Sequence, residues 1–256
     1  MKNLFDVSGK TVVVTGGSRG IGAMIAQGFV ENGATVYISS RKAEACDAMA
    51  EELSAHGTCV SLPQDLSSVE GIEALVAGVS EREQKLDVLI NNAGAVWAES
   101  IDTFPEHAWD KIMDINVKAP FFLTQKFLPL LRGAATPEDP ARVIMVASID
   151  GLHVNPIETY PYAASKSGLI HLTRALTARL SREDVTVNAI APGPFESKMM
   201  AHTLDTMGDQ IKASNPRKRI GTPEDMAGVA IYLASRAGAY VNGVTIPVDG
   251  GIVAVS

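Results

Sequence analysis

"TVVVTGGSRGIGAMIAQGF", residues 11–29, runs from a β-branched stretch through a glycine-rich turn into helical spacing. The run Thr11–Thr15 reads as a buried strand, since a short continuous apolar and β-branched run suits a sheet covered on both faces. The glycines follow as Gly16-x-x-x-Gly20-x-Gly22, a spacing different from the familiar G-x-G-x-x-G. The physics is shared: glycines let the backbone approach a pyrophosphate, and the helix that follows offers unpaired N–H groups and a partial positive charge. Nucleotide binding is the functional reading; an ordinary glycine-rich strand–helix turn is the structural alternative.

Working outward, the same alternation fills the chain. "TVYIS" (35–39), "CVSL" (59–62), "LDVLI" (86–90), "RVIMVAS" (142–148), "VTVNAI" (185–190) and "VTIPVDG" (244–250) read as further strands. Between them, "GAMIAQGFVENG", "AEACDAMAEELSAHG" and "GLIHLTRALTARLS" place apolar residues at i, i+3, i+4 and i+7, which is helix spacing. A long helix is expected around 106–131 and another around 161–180. The pattern predicts βαβ units, hence an α/β fold with one parallel sheet between two helical layers. No Pro/Ser/Gly linker divides the chain, so residues 1–256 read as a single domain. Two stretches break the rhythm: the polar loop "RGAATPEDPA" (132–141) and a Pro- and Gly-punctuated excursion over 192–225. Loops of that length are commonly functional.

Composition excludes several function classes. The 256 residues carry a net charge of −7, which disfavours a nucleic-acid partner because phosphates demand a basic face. The cluster Arg217, Lys218, Arg219 reads as a solvated loop. Cys46 and Cys59 form no CxxC pair and have no histidine at ligand spacing, so they read as reduced thiols and no metal site is expected. The N-terminus lacks a signal-peptide core and no apolar run approaches a membrane span, so a cytoplasmic location without a membrane partner is expected.

The second strand ends "YISSRKAE". An acidic residue there would bind the ribose 2′-hydroxyl of NAD, whereas this chain has Ser40, Arg41 and Lys42. No carboxylate repels a 2′-phosphate and Arg41 is placed to grip one, with Arg19 of the glycine turn able to reach the same region. The expected cofactor is therefore NADP(H). Further on, "ETYPYAASKSG" (158–168) holds two tyrosines before Lys166. On a helix only Tyr162 and Lys166, four apart, share a face. A phenol beside an ammonium is a candidate proton donor, though Y-x-x-x-K alone is a weak pattern.

Together these motifs resemble the short-chain dehydrogenases/reductases, end to end and in the family's order. "TGGSRGIG" (15–22), "NNAG" (91–94), the asparagine of "DINVKAP" (114–120), the serine of "VASIDG" (146–151), "YAASK" (162–166), "APG" (191–193) and the terminal "IPVDGG" (246–251) carry the resemblance. It implies a Rossmann-like, doubly wound sheet of seven parallel strands in the order 3-2-1-4-5-6-7, and a homo-oligomer, commonly a tetramer. It implies Asn116, Ser148, Tyr162 and Lys166 as the catalytic tetrad. Gly16, Ser18, Arg19, Gly20, Ile21 and Gly22 would surround the pyrophosphate. Ser40, Arg41, Asp65 and Leu66 would meet the adenosine end, Asp65 at the adenine amino group. Asn92, Ala93 and Gly94 form the turn after the fourth strand, with Tyr162 and Lys166 also touching cofactor. Pro192, Gly193 and Ser197 would face the nicotinamide, Ser197 standing for the more usual threonine.

On this reading Tyr162 is the acid, its pKa drawn toward the working range by the Lys166 ammonium. Ser148 would hold the substrate oxygen, and Asn116 a water linking Lys166 to solvent. Asn116 also has a plain alternative, an interior asparagine satisfied by backbone. Tyr160 would fall on the loop side of the helix as a packing aromatic.

Within the family the chain is most similar to the 3-oxoacyl reductases of the rhamnolipid-associated type, through "TGGSRGIGAMIAQG", "RKAEAC", "LLRGAATPEDPARVI" and "AGAYVNG". The implied substrate is a small-molecule carbonyl or alcohol, an acyl thioester among them. Two departures stand out. Glu183 occupies the slot where carrier-dependent reductases hold a docking arginine, and Asp150 follows Ser148 where small or apolar residues are usual. Three functions are therefore carried forward: an NADPH-dependent 3-oxoacyl thioester reductase, a sugar, polyol or steroid alcohol dehydrogenase, and a non-catalytic NADP-binding regulator. Phe195, Met199, Met200, Leu204 and Met207 of the excursion are candidates to line an acyl tunnel, with packing of the lid on its own domain as the alternative.

Overall fold

The structure, a computed structural model, describes residues 2–197 and 201–255, the side chains of 201–205 excepted. Its first half runs β1 (Thr11–Thr15), α1 (Gly20–Glu31), β2 (Thr35–Ser39), α2 (Ala43–Ser54), β3 (Thr58–Ser61), α3 (Val69–Ser80) and β4 (Val88–Asn91). α4 (Glu106–Met113), a π-helical turn at Asp114–Lys118, α5 (Ala119–Ala134), β5 (Ala141–Val146), α6 (Tyr160–Leu180) and β6 (Val185–Pro192) follow. α7 (Ala201–Ser214), α8 (Pro223–Ala234), β7 (Thr245–Val248) and α9 (Ile252–Val255) complete it.

All seven strands pair in parallel in the order β3-β2-β1-β4-β5-β6-β7, as the resemblance implies. Each lies within one or two residues of the stretch that reads as strand in the sequence. Parallel neighbours need crossover connections, and these carry the helices onto both faces. Alternation along β1 divides the core. Val12 and Val14 join Ile25 and Phe29 of α1 and Met226 and Leu233 of α8 on one face. Val13 joins Leu75 of α3, Phe127 of α5 and Leu169 of α6 on the other. Every residue of β1, β4, β5 and β6 is buried, which is why these strands read as unbroken runs rather than alternating ones.

Strand order reverses between β1 and β4, and above that reversal the chain ends of the two strands are tied together. The Thr15 hydroxyl donates to the Ile90 carbonyl at 3.2 Å and accepts from the Asn92 and Ala93 N–H groups, each at 3.0 Å. Asn92 Nδ2 donates to the Thr15 and Gly16 carbonyls at 2.8 and 3.2 Å. The resulting crevice is the position where open α/β sheets bind ligands.

Three elements differ from the sequence reading. The helix expected over 106–131 is two helices joined by the π turn, in which Ala119 N–H bonds the Asp114 carbonyl five residues back. Pro120 accounts for it: its ring crowds the Asn116 carbonyl four residues earlier and supplies no N–H to it, so the helix widens. The 192–225 excursion contains α7, whose apolar positions 204, 207 and 211 keep a helical period without a strong start signal. Tyr160 is the first residue of α6 rather than part of the loop before it.

Candidate active site

The glycine turn and the start of α1 form one wall of the crevice. Gly16 has φ 67°, a left-handed conformation that favours glycine. A side-chain carbon at Gly22 would collide with the Gly16 carbonyl oxygen and the Asn92 amide, so helix and turn approach as closely as they do only without one. No side chain caps the N-terminus of α1, where Arg19 sits at the cap position with exposed side chain. Its first N–H groups thus face the crevice with the helix dipole behind them, and the residues present fit a pyrophosphate. Ser197 closes over the turn: a carbon added at Gly20 would lie 3.1 Å from Ser197 Cβ. Gly193, donating its N–H to the Val248 carbonyl at 3.0 Å, continues from the end of β6 at Pro192.

At the β2 end, Arg41 is exposed and Ser40 half-buried. Asp65 lies across from them. Partial burial tends to raise its carboxyl, but hydrogen bonds from Ser67 and the Arg41 guanidinium outweigh that and hold it below the usual range. One carboxylate oxygen of Asp65 is committed to its own turn through Ser67 N–H and Oγ at 3.0 and 2.8 Å. Leu66 beside it is buried.

The four tetrad positions converge from three elements. Ser148 follows β5, Asn116 lies in the π turn, and Tyr162 and Lys166 are one helical turn apart on α6. Asn116 is fully buried. Its Nδ2 donates to the Ala95 carbonyl and Ser165 Oγ, both at 3.0 Å, and its Oδ1 accepts from Ala95 N–H at 2.9 Å. Both amide hydrogens are therefore spent on locking the turn after β4 against α6. Its backbone carbonyl is the group that Pro120 deprives of a helical donor. Ser165 Oγ closes the network by donating to the Tyr162 carbonyl at 2.7 Å. Ser165 and Thr15 lie inside "YAASK" and "TGGSRGIG", but the bonds they make here are legible only in the fold.

The phenol departs from the sequence reading. Burial pushes Tyr162 up to about 12, against the hydrogen bond with Ser148 and with the Asp150 carboxylate adding to the rise. Lys166 does not draw it down here. The Lys166 Nζ donates to the Val146 carbonyl at 2.8 Å and lies over the Tyr162 ring, 5.5 Å from its centroid. Burial in turn lowers Lys166 to about 8, Asp150 opposing. Tyr162 is thus a neutral phenol at working pH, held beside a hydroxyl and an ammonium. Tyr160 points elsewhere: it is exposed, stacks edge-on against Phe104 with centroids 6.1 Å apart, and is influenced by Glu158.

Around Ser148 and Tyr162 the segment 152–160 presents exposed Leu152, Val154 and Ile157, with Val96 and Ile101 exposed on the segment that follows β4. The two segments are joined by Glu99 N–H to the Glu158 carbonyl at 3.1 Å and Ile101 N–H to Glu158 Oε2 at 3.1 Å. This apolar rim is absent from the sequence reading, which looked to the excursion instead. There Phe195 is buried in the core and packs across Gly221, which fastens the segment after β6 to the sheet. Met199 and Met200 and the side chain of Leu204 lie outside the described residues, and Met207 is exposed. A cavity of about 420 Å³ lies between Phe195, Arg217, Arg219 and Asp249, and none of the tetrad lines it. Among the described residues no group of three His, Cys, Asp or Glu is arranged to hold a metal.

Fold and site together define a doubly wound α/β protein with a dinucleotide crevice and a Ser–Tyr–Lys cluster at its mouth. A family model described as enoyl-(acyl carrier protein) reductase matches residues 16–253. The chain is 45% identical over 253 residues, 98% of its length and 99% of the relative's, to the rhamnolipids biosynthesis 3-oxoacyl-[acyl-carrier-protein] reductase of Pseudomonas aeruginosa. It is 31% identical over 253 residues, 98% of its length and 97% of the relative's, to gluconate 5-dehydrogenase of Gluconobacter oxydans. The solved RhlG/NADP active-site complex of Pseudomonas aeruginosa superposes with a TM-score of 0.95 at 45% identity, covering 99% of this chain and 100% of that one. The chain belongs to the short-chain dehydrogenase/reductase family.

The depressed Lys166 pKa has a consequence for stability. A lysine whose folded pKa lies below its unfolded value costs stability at any pH below about 8, and the cost fades as pH rises toward the unfolded value. Replacement Lys166→Met should therefore raise Tm by a few degrees at pH 7. The gain should shrink between about pH 8 and pH 10.5 and vanish above that range, where the wild-type side chain is neutral in both states. Thermal melts of the two proteins across that range check it.

Proposed function

We propose that the chain is an NADPH-dependent reductase of 3-oxoacyl thioesters. The observation that carries the reaction class is the neutral Tyr162 phenol beside Ser148, which can hold a carbonyl oxygen and hand it a proton. When bound, the reduced nicotinamide supplies the hydride. Ser148 orients the substrate oxygen, the Tyr162 phenol gives up its proton as negative charge develops there, and the Lys166 ammonium stabilises the phenolate that remains. Asn116 holds the turn that shapes this pocket, and its backbone carbonyl is suited to a water that reconnects Lys166 to solvent. Gly16, Gly20, Gly22, Asn92 and Gly94 let the cofactor approach, with Ser18, Ile21, Leu66 and Ala93 along its path and Pro192, Gly193 and Ser197 at the nicotinamide. The solved NADP complex of the 45%-identical relative supports the phosphorylated cofactor, as does exposed Arg41 with no carboxylate at the end of β2.

The substrate class comes from the same relative's name and from the apolar rim of Leu152, Val154 and Ile157. A ketone suits the paired hydroxyls better than the double bond in the family model's description. Docking of an acidic carrier protein is the less supported part. Glu183 already accepts from Arg132 Nε at 2.6 Å and from the Arg179 guanidinium, so those two cations are compensated. The alternative, a sugar or polyol dehydrogenase, is favoured by Asp150 and by the gluconate 5-dehydrogenase similarity. A non-catalytic regulator has no use for the whole tetrad. No helix among the described residues is long and apolar enough to cross a membrane, and we place the protein in the cytoplasm, as one domain that assembles through α5 and α6 into a tetramer.

Tyr162→Phe should reduce kcat by about 10²–10⁴-fold, the usual worth of a general acid, while Tyr160→Phe stays within a few-fold. Equal losses in the two variants would remove the unique acid. Arg41→Ala should lower kcat/KM for NADPH far more than for NADH, since a guanidinium selects the 2′-phosphate; comparable losses with both cofactors would sink the assignment. With 3-oxoacyl coenzyme A thioesters, kcat/KM should rise with chain length by at most about threefold to fourfold per methylene, at ~0.8 kcal/mol of burial each. A flat response, with faster reduction of 5-ketogluconate, would move the protein to the alternative.

A further inference from the structure

The reaction proposed above makes no use of the acidic side chain that follows Ser148. Asp150 N–H donates to Ser148 Oγ at 3.1 Å, and its Oδ1 accepts from Asn155 Nδ2 at 3.2 Å. His153 Nε2 lies 3.9 Å from the same oxygen, shielded from solvent and without a hydrogen-bond partner. The Asp150 side chain is only 14% exposed, and among the described residues no lysine or arginine is within salt-bridge distance of it. The turn that carries it cannot swing away. A side-chain carbon at Gly151 would lie 2.7 Å from the Lys166 carbonyl carbon, and Ser167 Oγ donates to the Gly151 carbonyl at 3.1 Å. An uncompensated carboxylate is thus clamped against the turn of α6 that carries Tyr162 and Lys166.

The other charges near this group are engaged or remote. On the π turn, Asp114 and Lys118 pair with each other at 3.2 Å on an exposed face. From α4, Lys111 lies over the Trp97 ring at 5.6 Å and His107 stacks on the same indole at 5.7 Å. Glu158 binds the Ile101 N–H and acts on Tyr160. From β5 the contact with Lys166 is the neutral Val146 carbonyl, and Glu183 sits at the far end of α6 with Arg132 and Arg179.

We propose that Asp150 is a positioning residue for the proton donor: its carboxylate, held by Asn155, biases Tyr162 toward the neutral phenol and Lys166 toward the cation between turnovers. A negative charge on the turn packed against α6 raises the free energy of the phenolate and lowers that of the ammonium, so both groups are biased toward the protonation state that carbonyl reduction requires. His153 faces the carboxylate across 3.9 Å without a hydrogen bond to it. The inference rests on Tyr162 being the acid.

The test is the titration of Tyr162, read as tyrosinate ultraviolet absorbance against the same protein carrying Tyr162→Phe. Readings are confined to the pH range over which circular dichroism shows the fold intact. In Asp150→Asn the onset should move down by about one pH unit, the lower end of what a nearby like charge does. Asp150→Glu should restore most of the wild-type behaviour, and His153→Gln should leave the onset where it is. The alkaline limb of kcat/KM for reduction of a short 3-oxoacyl coenzyme A thioester should move with the absorbance. An unmoved onset in Asp150→Asn, or an equal shift in His153→Gln, would assign any effect to a loosened turn and overturn the proposal. If the onset moves as expected but the wild type reduces no thioester, the substrate reading fails and the role of Asp150 stands.

Discussion

Contact between the glycine turn after β1 and the end of β4 sets the geometry on which the C-terminal edge of the sheet depends. Thr15 and Asn92 supply the bonds, and the missing side chains at Gly16 and Gly22 supply the room. Because strand order reverses there, the connections leave in opposite directions and cannot cover the gap between them. What remains is a crevice with an uncapped helix N-terminus on one side and the β4 turn on the other. The β4 turn runs directly to Ala95, which Asn116 holds with one bond in each direction, and Asn116 in turn holds Ser165 on α6. The cofactor wall and the acid–base helix are therefore fixed relative to each other by buried and part-buried hydrogen bonds joined through the short backbone run 92–95.

That network is polar and largely shielded, and every named link in it is satisfied. In a low-dielectric interior such a network is rigid when complete and costly when broken. Lys166 is its most demanding member, since a single Val146 carbonyl and the face of a phenol are what answer a buried ammonium. The strain on its charge is a local sacrifice of stability at a site built for proton transfer, a trade common where activity is concentrated.

The distribution of apolar groups separates two tasks. Phe195, pinned across Gly221 and sunk in the core, anchors the segment that follows β6. Leu152, Val154 and Ile157 stay at the surface next to Ser148, where a substrate rather than the protein interior can cover them.

Much of this was legible in the residues. A β-branched run buried on both faces looks the same in a sequence as in a sheet, and the glycine spacing after Thr15 permits close approach whatever surrounds it. The order of "NNAG", Asn116, Ser148 and "YAASK" likewise marks positions that the fold brings together. Tertiary structure alone decided the rest, because the rest depends on pairs far apart in the chain. The Pro120 effect became a π turn only where a helix had to pass Asn116 to Ala95, and α7 took shape within a stretch whose punctuation resembled a loop. Lys166 reads from its spacing as a partner for Tyr162, yet its hydrogen bond goes to Val146, and burial from all sides moved both pKa values in directions that spacing cannot convey. Period and composition act over a few residues and survive in one dimension; desolvation and the charge of Asp150 act through space and exist only once the chain has closed around them.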